Sequence, residues 1–569
     1  MIKNLHLIFN KDQIISLILI AIFVVVTTIL ESLSIGLIFP ILSFMVEGTN
    51  NSNVFFTFLY EKFNFFQSSN EINFYLILFA IIYLLKIIFL ISFSWYKNKF
   101  VWDIHNYLSK KIYKKYLEQD INYFKNNNTG KIIRNLTTEV SVFISNGIAP
   151  TINLISNSFI LFGFIIIFLI INFEITSILI SFIFVLTFLF NYSNKFLLKR
   201  WGLKRQINEG LRISYLNQGI NSIKEAKIYG KENWFLEKFS HYNKLTFNSL
   251  RNYDFLKTLP RFFLETIILI FSVTLILFNF KEQSLGEFLP FFAVLFVAFY
   301  RAVPIISQLL VSLQSITYSK TSYELILNSL NLKSDNYISS LEYKPLNFQT
   351  SVEIKNLNVS YDNKQNLVLK NINLKILKGD RIGIIGKSGA GKSTFLDCLM
   401  GLMKLKNGDI LVDEKSIFSN LGNWRKLIGY VPQSIYLIDD SIKKNIAFGN
   451  DSTNINHKNI ESSIKDSELL NLINKLSEKE NSIVGDKGAK LSGGERQRIA
   501  IARSLYIDPE IIIFDEATSA LDLETEGKIV ESIAKLSKNK TIIVVSHRMS
   551  SLKNCNKIYE IKNGYMNLI

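Results

Sequence analysis

A glycine-rich loop that ends in a lysine and a serine is the part of the sequence best suited to hold phosphate groups. The loop GKSGAGKS begins at Gly386, directly after the apolar run RIGII and directly before the run TFLDCLMGL. In such a strand–loop–helix context, glycines let backbone amides close around phosphates at the positive end of the helix. Lys392 is expected to reach the β- and γ-phosphates, and Ser393 to ligate Mg²⁺. The predicted nucleotide-binding residues of this loop are Gly386, Ser388, Gly389, Ala390, Gly391, Lys392, Ser393 and Thr394.

Two acidic residues end an apolar run further along the chain, in the sequence IIIFDEATSALD. The run has the length of a buried strand, and Asp515 and Glu516 stand at its carboxyl end. Asp515 is placed to orient Mg²⁺ and its waters, and Glu516 to polarise the attacking water as general base. An ordinary acidic turn is the alternative, which the phosphate-binding loop upstream disfavours. The two motifs together predict hydrolysis of ATP, with ATP and Mg²⁺ as cofactors.

A second phosphate-binding surface precedes that strand, in the run LSGGERQRIAIAR from Leu491 to Arg503. Ser492, Gly493 and Gly494 offer backbone donors at the start of a helix. One chain thus carries two phosphate-binding elements that are well separated in sequence. This arrangement makes sense if two domains sandwich ATP and each domain supplies one element.

The elements that must position these residues occupy the second half of the chain. Of its 569 residues 49% are hydrophobic, and long apolar runs fill the first 317 positions. A spanning helix needs roughly 20 apolar residues. We therefore predict a membrane domain, 1–317, with six helices that in part continue into the cytosol; their approximate bounds are 14–46, 72–96, 146–172, 175–197, 255–280 and 287–317. The polar stretch 318–350 is predicted to be a linker, and 351–569 a cytosolic α/β P-loop ATPase domain.

The net charge of +17 is arranged as in a membrane protein rather than in a nucleic-acid-binding protein. Lys and Arg cluster in 97–134 and 195–257, which border the apolar runs, whereas the connection after the first span has little positive charge. Positive loops stay on the cytoplasmic side, next to the anionic leaflet. We predict a multi-pass protein of the bacterial inner (cytoplasmic) membrane with both termini inside, in contact with lipids and without nucleic acid. Cys398 and Cys555 lie far apart, which fits a reducing cytosol.

Three basic residues fall within or at the edge of predicted spans, namely Lys86, Arg261 and Arg301. A charge inside a span is costly and usually faces a polar cavity, so these residues are the predicted substrate contacts. Since Arg recognises phosphate oxygens bidentately, a phosphorylated or pyrophosphate headgroup would suit the cavity. The alternatives are pairing with a carboxylate such as Glu265 or Glu31, or snorkelling to the interface. The apolar, aromatic segment 53–66 is too short to span, and predicts an external amphipathic helix or a packed loop.

With these motifs, nearly the whole chain resembles an ABC exporter half-transporter. The resemblance implies that Tyr361 stacks on adenine and that Gln433 links Mg²⁺ and water to the membrane domain. It also implies that His547 touches the γ-phosphate and that Ser519–Asp522 form a turn that crosses a dimer. Because neither LSGGE nor Glu516 departs from the family pattern, two identical copies would form two competent sites. A homodimer is therefore predicted, with a degenerate partner as the alternative.

Two cytosolic turns resemble the coupling-helix regions of ABC exporters, one in each long basic segment. They are Gln119–Asn128 and Ala226–Phe235. ATP-driven closure of the dimer would reach the membrane helices through them, as a shift between inward and outward cavities. Simple helix-end turns are the alternative.

The membrane half is similar to that of the bacterial lipid-linked oligosaccharide flippase used in protein N-glycosylation. Lys86, Pro260-Arg261 and Tyr300-Arg301, around the amphipathic segment, carry this resemblance. It implies that the basic residues attract the pyrophosphate of a polyprenyl-pyrophosphate glycan, a lipid-linked anionic substrate. A general lipid or multidrug exporter remains the alternative, and an ATP-gated channel a more remote one. A soluble ABC ATPase is incompatible with six spans, and the absence of an N-terminal peptidase extension disfavours a peptide-processing exporter.

Overall fold

The computed structural model of the protein describes residues 5–36, 71–171, 173–279, 285–332, 346–360, 367–516, 540–547 and 552–569. The chain divides into two compact units. The first, here called the helical unit, comprises Met1–Leu117 and Asn127–Lys333. The second, the sheet unit, comprises Glu118–Asn126 and Ser334–Ile569.

The described part of the helical unit is built from helices joined by short turns. The α-helices are Leu5–Ile8, Lys11–Gly36, Glu71–Leu117, Thr129–Arg134, Val140–Phe143, Ala149–Ile171, Phe173–Asn221, Ile223–Ile228, Glu232–Asn279 and Leu285–Leu330. Two π-helical turns, Asn135–Glu139 and Ile144–Ile148, lie on either side of Val140–Phe143. The chain is thus helical from Thr129 to Ile171 without a break, although its hydrogen-bond pattern changes along the way.

Long helices occur at each of the six predicted spans, within the described residues. Three of them are apolar and long enough to cross a membrane: Lys11–Ser34, Leu76–Leu117 and Thr129–Ile166. Helix Glu71–Leu117 has 47 residues, a length of about 70 Å, more than twice the roughly 30 Å of a hydrocarbon core. The expectation that helices continue beyond the bilayer therefore agrees with the structure. The predicted amphipathic segment 53–66 lies outside the described residues.

The predicted linker 318–350 requires a correction, because its first part is helical. Helix Leu285–Leu330 continues through it, and this polar stretch buries Tyr318, Ser322 and Ile326 against other helices. Composition marked the stretch as a linker because its residues are polar. The hydroxyls of Ser319 and Ser329 donate to carbonyl oxygens of their own helix, and that of Ser322 donates to Glu139. Polar side chains satisfied in this way can pack inside the unit rather than remain in solvent.

The sheet unit contains two sheets around a large apolar core. A four-stranded antiparallel sheet has the order β2-β1-β4-β5. A six-stranded sheet has the order β10-β9-β3-β8-β7-β6, with only β10 antiparallel to its neighbour. The strands are β1 Ser351–Val359, β2 Leu369–Leu377, β3 Arg381–Ile385, β4 Asn407–Val412, β5 Lys415–Ser416, β6 Ile428–Val431, β7 Ile511–Asp515, β8 Thr541–Val545, β9 Lys557–Lys562 and β10 Tyr565–Leu568. The α-helices are Ile121–Asn126, Lys392–Leu399, Leu421–Lys426, Ile442–Ile446, His457–Asp466, Leu470–Lys475 and Gly493–Tyr506.

The parallel strands β3, β8, β7 and β6 end together at one edge of the larger sheet. Ile384 pairs with Val545, and Asp515 pairs with the same Val545 from the other side. All five residues of β7 are buried, as expected of a parallel strand covered on both faces. Ligands of such sheets bind at the carboxyl ends of the strands. The fold therefore brings four chain segments that are distant in sequence to one possible site.

Candidate functional site

The loop after β3 has a backbone that only glycine adopts readily. Gly389 and Gly391 have φ of 79° and 108°, in the left-handed region. A Cβ atom at Gly391 would lie 2.9 Å from Cδ2 of Leu369, and one at Gly386 would lie 2.6 Å from the carbonyl oxygen of Ile561. Helix Lys392–Leu399 begins directly after the loop. Backbone amides at the first turn of a helix and in a glycine-rich loop suit an anion such as a phosphate chain.

Lys392 is buried and folds back over the loop that precedes it. Its Nζ donates to the carbonyl oxygen of Gly386 at 2.9 Å and to that of Lys387 at 3.2 Å. It also lies 3.1 Å from Nε2 of His547, which follows β8. The predicted phosphate-binding lysine and the predicted γ-phosphate histidine are therefore neighbours.

Glu516 stands at the centre of the polar cluster. Gln433 donates from Nε2 to Glu516 Oε2 at 2.6 Å, and Nε2 of His547 lies 3.0 Å from Glu516 Oε1. Nε2 of His547 accepts a hydrogen bond from Lys392 when it is unprotonated and donates one to Glu516 when it is protonated. It therefore bonds only one of the two at a time. Glu516 itself has φ of 50°, and its amide donates to the carbonyl of Val545 at 2.9 Å. A non-glycine residue held in this region is frequent at functional sites.

Asp515 is buried at the end of β7. Burial raises the pKa of its carboxyl above the ordinary value, the hydrogen bond from Tyr430 lowers it, and the charge of Glu516 raises it further. Tyr430 donates from its hydroxyl to Asp515 Oδ2 at 3.3 Å, and burial raises the pKa of that hydroxyl so that it stays protonated. A buried carboxylate next to a second carboxylate is a favourable place for a cation.

The donors predicted to hold Mg²⁺ have the chemistry that this ion prefers. They are the hydroxyl of Ser393, the carboxylate of Asp515 and the amide oxygen of Gln433. Mg²⁺ takes hard oxygen ligands and keeps several waters, so one or two carboxylates and substrate phosphates suffice. Among the described residues no group of three or more His, Cys, Asp or Glu side chains could hold a metal by itself. The residues present therefore fit Mg²⁺ bound together with a nucleotide better than a dedicated metal cage.

The predicted second phosphate-binding surface begins a separate helix. Ser492 is the N-cap of helix Gly493–Tyr506 and forms a capping box with Glu495. The backbone amide of Ser492 donates to Glu495 Oε2 at 2.7 Å, and the amide of Glu495 donates to Ser492 Oγ at 3.3 Å. No hydrogen bond within the described part of the chain joins Ser492, Gly493 or Gly494 to the cluster around Glu516.

Some predicted site residues are not described. Tyr361 and Ser519–Asp522 lie outside the described residues, so their roles stay predictions. For Arg301 only the helical backbone is described, within Leu285–Leu330.

The other two basic residues of the predicted substrate cavity have carboxylate partners. Lys86 is 3% exposed, and its Nζ lies 2.6 Å from Oε2 of Glu31. Arg261 has an exposed side chain, and its Nε lies 2.7 Å from Oε1 of Glu265 one helical turn later. Pairing with these two carboxylates was the alternative to anion binding. The pair with Glu31 is expected for a buried lysine, because a charge in the low-dielectric span is costly without a partner.

The first predicted coupling turn belongs to the sheet unit. Residues Glu118–Asn126 group with that unit, although they lie between two helices of the helical unit in sequence. Lys125 Nζ donates to Asp397 Oδ2 at 3.0 Å, and Ile121 packs against the apolar core. Asp397 lies on helix Lys392–Leu399, which follows the phosphate-binding loop. We call Glu118–Asn126 the docking segment.

The second predicted coupling turn lies within the helical unit. Helix Ile223–Ile228 ends before Gly230, whose φ is 59°, and helix Glu232–Asn279 then begins. Most of this turn is exposed.

Two hydrogen bonds near the site were not predicted from the sequence. They join Tyr430 to Asp515 and Lys125 to Asp397. The signal for Tyr430 is weak, since an aromatic residue in the strand IGYV indicates only packing. Asp397 gives a better signal, because it is the one acidic residue in the apolar helix that follows the loop.

The chain matches two family models. The model described as "ABC transporter" matches residues 369–519. The model described as "ABC transporter transmembrane region" matches residues 14–299. The first match covers the loop, Gln433, the Ser492 region and Glu516, and the second covers half of the chain.

Two curated relatives resemble the chain over most of its length, and a third resembles about a third of it. A putative export ATP-binding/permease protein of Rickettsia bellii is 31% identical over 509 residues, which is 85% of each protein. An ATP-dependent lipid A-core flippase of Wigglesworthia glossinidia brevipalpis is 27% identical over 481 residues, or 83% of this chain and 80% of the flippase. The alpha-hemolysin translocation ATP-binding protein HlyB of Escherichia coli O157:H7 is 42% identical over 210 residues, or 36% of this chain and 29% of that protein.

A solved structure shares the fold. The structure of a bacterial Atm1-family ABC exporter with ATP bound aligns with a TM-score of 0.79, over 98% of this chain and 94% of that chain, at 19% identity. The predicted fold class, a helical membrane domain with a P-loop ATPase domain, is confirmed by this likeness and by the two family matches.

Proposed function

We propose that this chain, which belongs to the ABC transporter family, flips a lipid-linked oligosaccharide from the cytoplasmic to the outer leaflet. The chain is an ABC exporter that binds ATP and couples its hydrolysis to transport. The proposed cargo is a polyprenyl-pyrophosphate glycan, used in protein N-glycosylation or cell-surface glycan assembly. The observation that best supports ATP hydrolysis is the contact of Glu516 with both Gln433 and His547.

ATP hydrolysis follows from the residues of this cluster. The loop amides and Lys392 hold the phosphates, and Glu516 accepts a proton from the attacking water as general base. Gln433 and His547, both in contact with Glu516, orient its carboxylate and the γ-phosphate. Ser393, Gln433 and Asp515 would hold Mg²⁺, which neutralises charge on the phosphate oxygens when it is bound.

Two copies of the chain complete two ATP sites. Two observations support this proposal. The helix that begins after Ser492 has backbone amides suited to phosphate, and in the described part of the chain no hydrogen bond joins it to the Glu516 cluster. In a symmetric pair, each copy presents this helix start to the nucleotide on the loop of the other copy. The homodimer is the simplest assembly, since every motif is intact in one chain.

The docking segment couples the motor to the membrane helices. Its Lys125 pairs with Asp397, on the helix whose first turn carries Lys392 and Ser393. A nucleotide-dependent movement of that helix therefore acts on the segment directly. The segment continues at Thr129 into a long apolar helical run, which passes the movement on. The turn Ala226–Phe235 is proposed to do the same for the helices on either side of it.

The cargo proposal rests on the charge of the membrane helices and on one relative. The exposed Arg261 at the edge of a span suits a pyrophosphate group, and Arg301 is proposed to act with it. Lys86, which is buried with Glu31, is the least suited of the three. The relative named a lipid A-core flippase favours a lipid cargo. We place the protein in the bacterial inner membrane, with both termini in the cytoplasm.

The decisive test is transport in liposomes. The purified protein would be reconstituted with a polyprenyl-pyrophosphate oligosaccharide, and ATP-dependent loss of glycan accessibility on one side measured. Glu516→Gln is the control without hydrolysis, and Arg251→Ala, a cytosolic exposed arginine on the same helix as Arg261, is the control for Arg261→Ala and Arg301→Ala. We expect transport to be lost in Glu516→Gln, weakened in both cavity variants and unchanged in Arg251→Ala.

Other outcomes would select an alternative function. ATP hydrolysis without movement of this lipid would reject the flippase, and parallel assays with a fluorescent phospholipid and a cationic dye would then test a general lipid or multidrug exporter. An ATP-dependent ion current without lipid movement would indicate a gated channel.

A further inference from the structure

A buried carboxylate joins three helices of the helical unit at one point. Glu139 has no exposed surface and Arg205 is 2% exposed. Arg205 donates from Nη1 to Glu139 Oε1 at 3.1 Å and from Nη2 to Oε2 at 2.8 Å. Ser322 donates from Oγ to Oε2 at 2.6 Å. Glu139 lies in the run that follows the docking segment, Arg205 in helix Phe173–Asn221 and Ser322 in helix Leu285–Leu330.

A second layer of hydrogen bonds extends the junction. Gln206 donates from Nε2 to Glu139 Oε2 at 3.3 Å and to the carbonyl of Thr321 at 3.3 Å. Arg134 donates from Nη1 to the carbonyl of Gln206 at 2.9 Å. We call Glu139, Arg205, Gln206 and Ser322 the latch. Arg205 binds the carboxylate of Glu139 through two hydrogen bonds, and all four residues are buried, so the bonds are strong and directional.

The latch holds the helix at an irregular part of its backbone. Glu139 is the last residue of the π-helical turn Asn135–Glu139, and a second π-helical turn, Ile144–Ile148, follows. Such turns are rare and frequently lie at functional sites. Without a fixed side chain at Glu139, the helix could yield here instead of carrying a movement forward.

We propose that Glu139 is a positioning residue for coupled transport, which with Arg205 and Ser322 makes these three helices move as one body. This inference rests on the proposed coupling role of the docking segment, which joins the same helical run at Thr129. A buried ion pair is weak evidence for stability in itself and is better explained by the arrangement it specifies. Here it specifies the relative register of three helices.

The test follows the movement itself and needs no cargo. Hydrogen exchange of the full-length protein in lipid nanodiscs would be measured without nucleotide and with ATP, Mg²⁺ and orthovanadate. Peptides covering 392–399 report on the motor, and peptides covering 135–148 and 205–221 report on the helical unit. The variants are Glu139→Gln and, as matched control, Glu209→Gln. Glu209 is a buried carboxylate that accepts from Arg212 of its own helix at 2.7 and 2.9 Å, and Arg212 in turn donates to Asn243 at 3.3 Å. Glu209 thus matches Glu139 in charge and burial, but neither of its hydrogen bonds with Arg212 joins it to Glu139, Arg205, Gln206 or Ser322.

We expect the wild type and Glu209→Gln to change exchange at least about twofold in all three regions. Glu139→Gln should keep the change in 392–399 and lose it in 135–148 and 205–221. A change kept in all regions of Glu139→Gln, an equal loss in Glu209→Gln, or a wild type that changes only in 392–399 would overturn the proposal. If Glu139→Gln does not fold, Glu139→Gln/Arg205→Met removes the more deeply buried of the two arginines that pair with Glu139, Arg134 being the other at 3.9 Å. A helical-unit change kept in that variant would overturn the proposal as well. Because no cargo is present, failure of the flippase proposal would leave these results unaffected.

Discussion

Glu516 has three distinct constraints on its side chain and backbone. Its two carboxylate oxygens contact Gln433 and His547, and its φ of 50° fixes the direction of the side chain after β7. A general base needs this orientation as much as it needs its charge. An amide at this position keeps the shape and removes the proton acceptor.

Glu516→Gln is therefore expected to lower ATP hydrolysis by a factor of about 10²–10⁴ while ATP binding is retained. Phosphate release and equilibrium binding of a fluorescent ATP analogue measure the two quantities. Glu510→Gln, an exposed partner of Lys378 in the same unit, is the control and should hydrolyse ATP normally. Hydrolysis at the normal rate in Glu516→Gln would exclude this residue as the base.

The side chains of Lys86 and Glu31 form a nearly buried ion pair, 4% and 12% exposed, from which a contribution to stability is expected. Lys86→Met leaves the Glu31 charge without its partner, which for a buried pair costs about 3–5 kcal/mol. We expect a lower melting temperature in detergent, and recovery in Lys86→Met/Glu31→Leu. Arg261→Met removes an exposed pair and should change stability by about 0–1 kcal/mol. Loss of transport in the recovered double variant would instead make Lys86 a cargo contact.

At the scale of elements, the docking segment contacts helix Lys392–Leu399, which follows the phosphate-binding loop directly. The side chain of Lys125 is 45% exposed and that of Asp397 is 13% exposed. Solvent screens such a pair, so its contribution to stability is small. Its importance is expected in transmission rather than in folding.

Lys125→Glu and Asp397→Lys should each lower transport per ATP hydrolysed, because each places like charges in contact. The exchange Lys125→Glu/Asp397→Lys should restore transport at least in part. Cargo movement and phosphate release in the same liposomes give the ratio, and the exposed pair Asp440–Lys444, exchanged in the same way, is the control. Single variants with a normal ratio would show that this pair does not transmit.

For the whole molecule, the proposed homodimer makes a prediction about shared sites. Lys392→Ala disables the loop, and Ser492→Arg disables the helix start that would serve the other copy. Each variant alone should be inactive as a homodimer. Co-expressed, they form a pair in which one composite site carries both defects and the other carries none. We expect hydrolysis to return in purified mixed pairs, and continued inactivity would argue that each chain completes its own site.

The sequence by itself was enough to predict an ATP-hydrolysing domain, and the structure brings the predicted Lys392, Gln433, Glu516 and His547 together. This was possible because phosphate binding depends on backbone amides at a strand–loop–helix junction, which a short local motif specifies. Span-forming helices were equally predictable, because length and apolarity are properties of continuous segments. The tertiary structure decided what depends on partners distant in sequence. It pairs Lys86 with Glu31, extends the last long helix through a polar stretch to Leu330, and places Glu139 between Arg205 and Ser322. A buried charge does not identify its partner from local sequence, because the partner is chosen by how the helices pack.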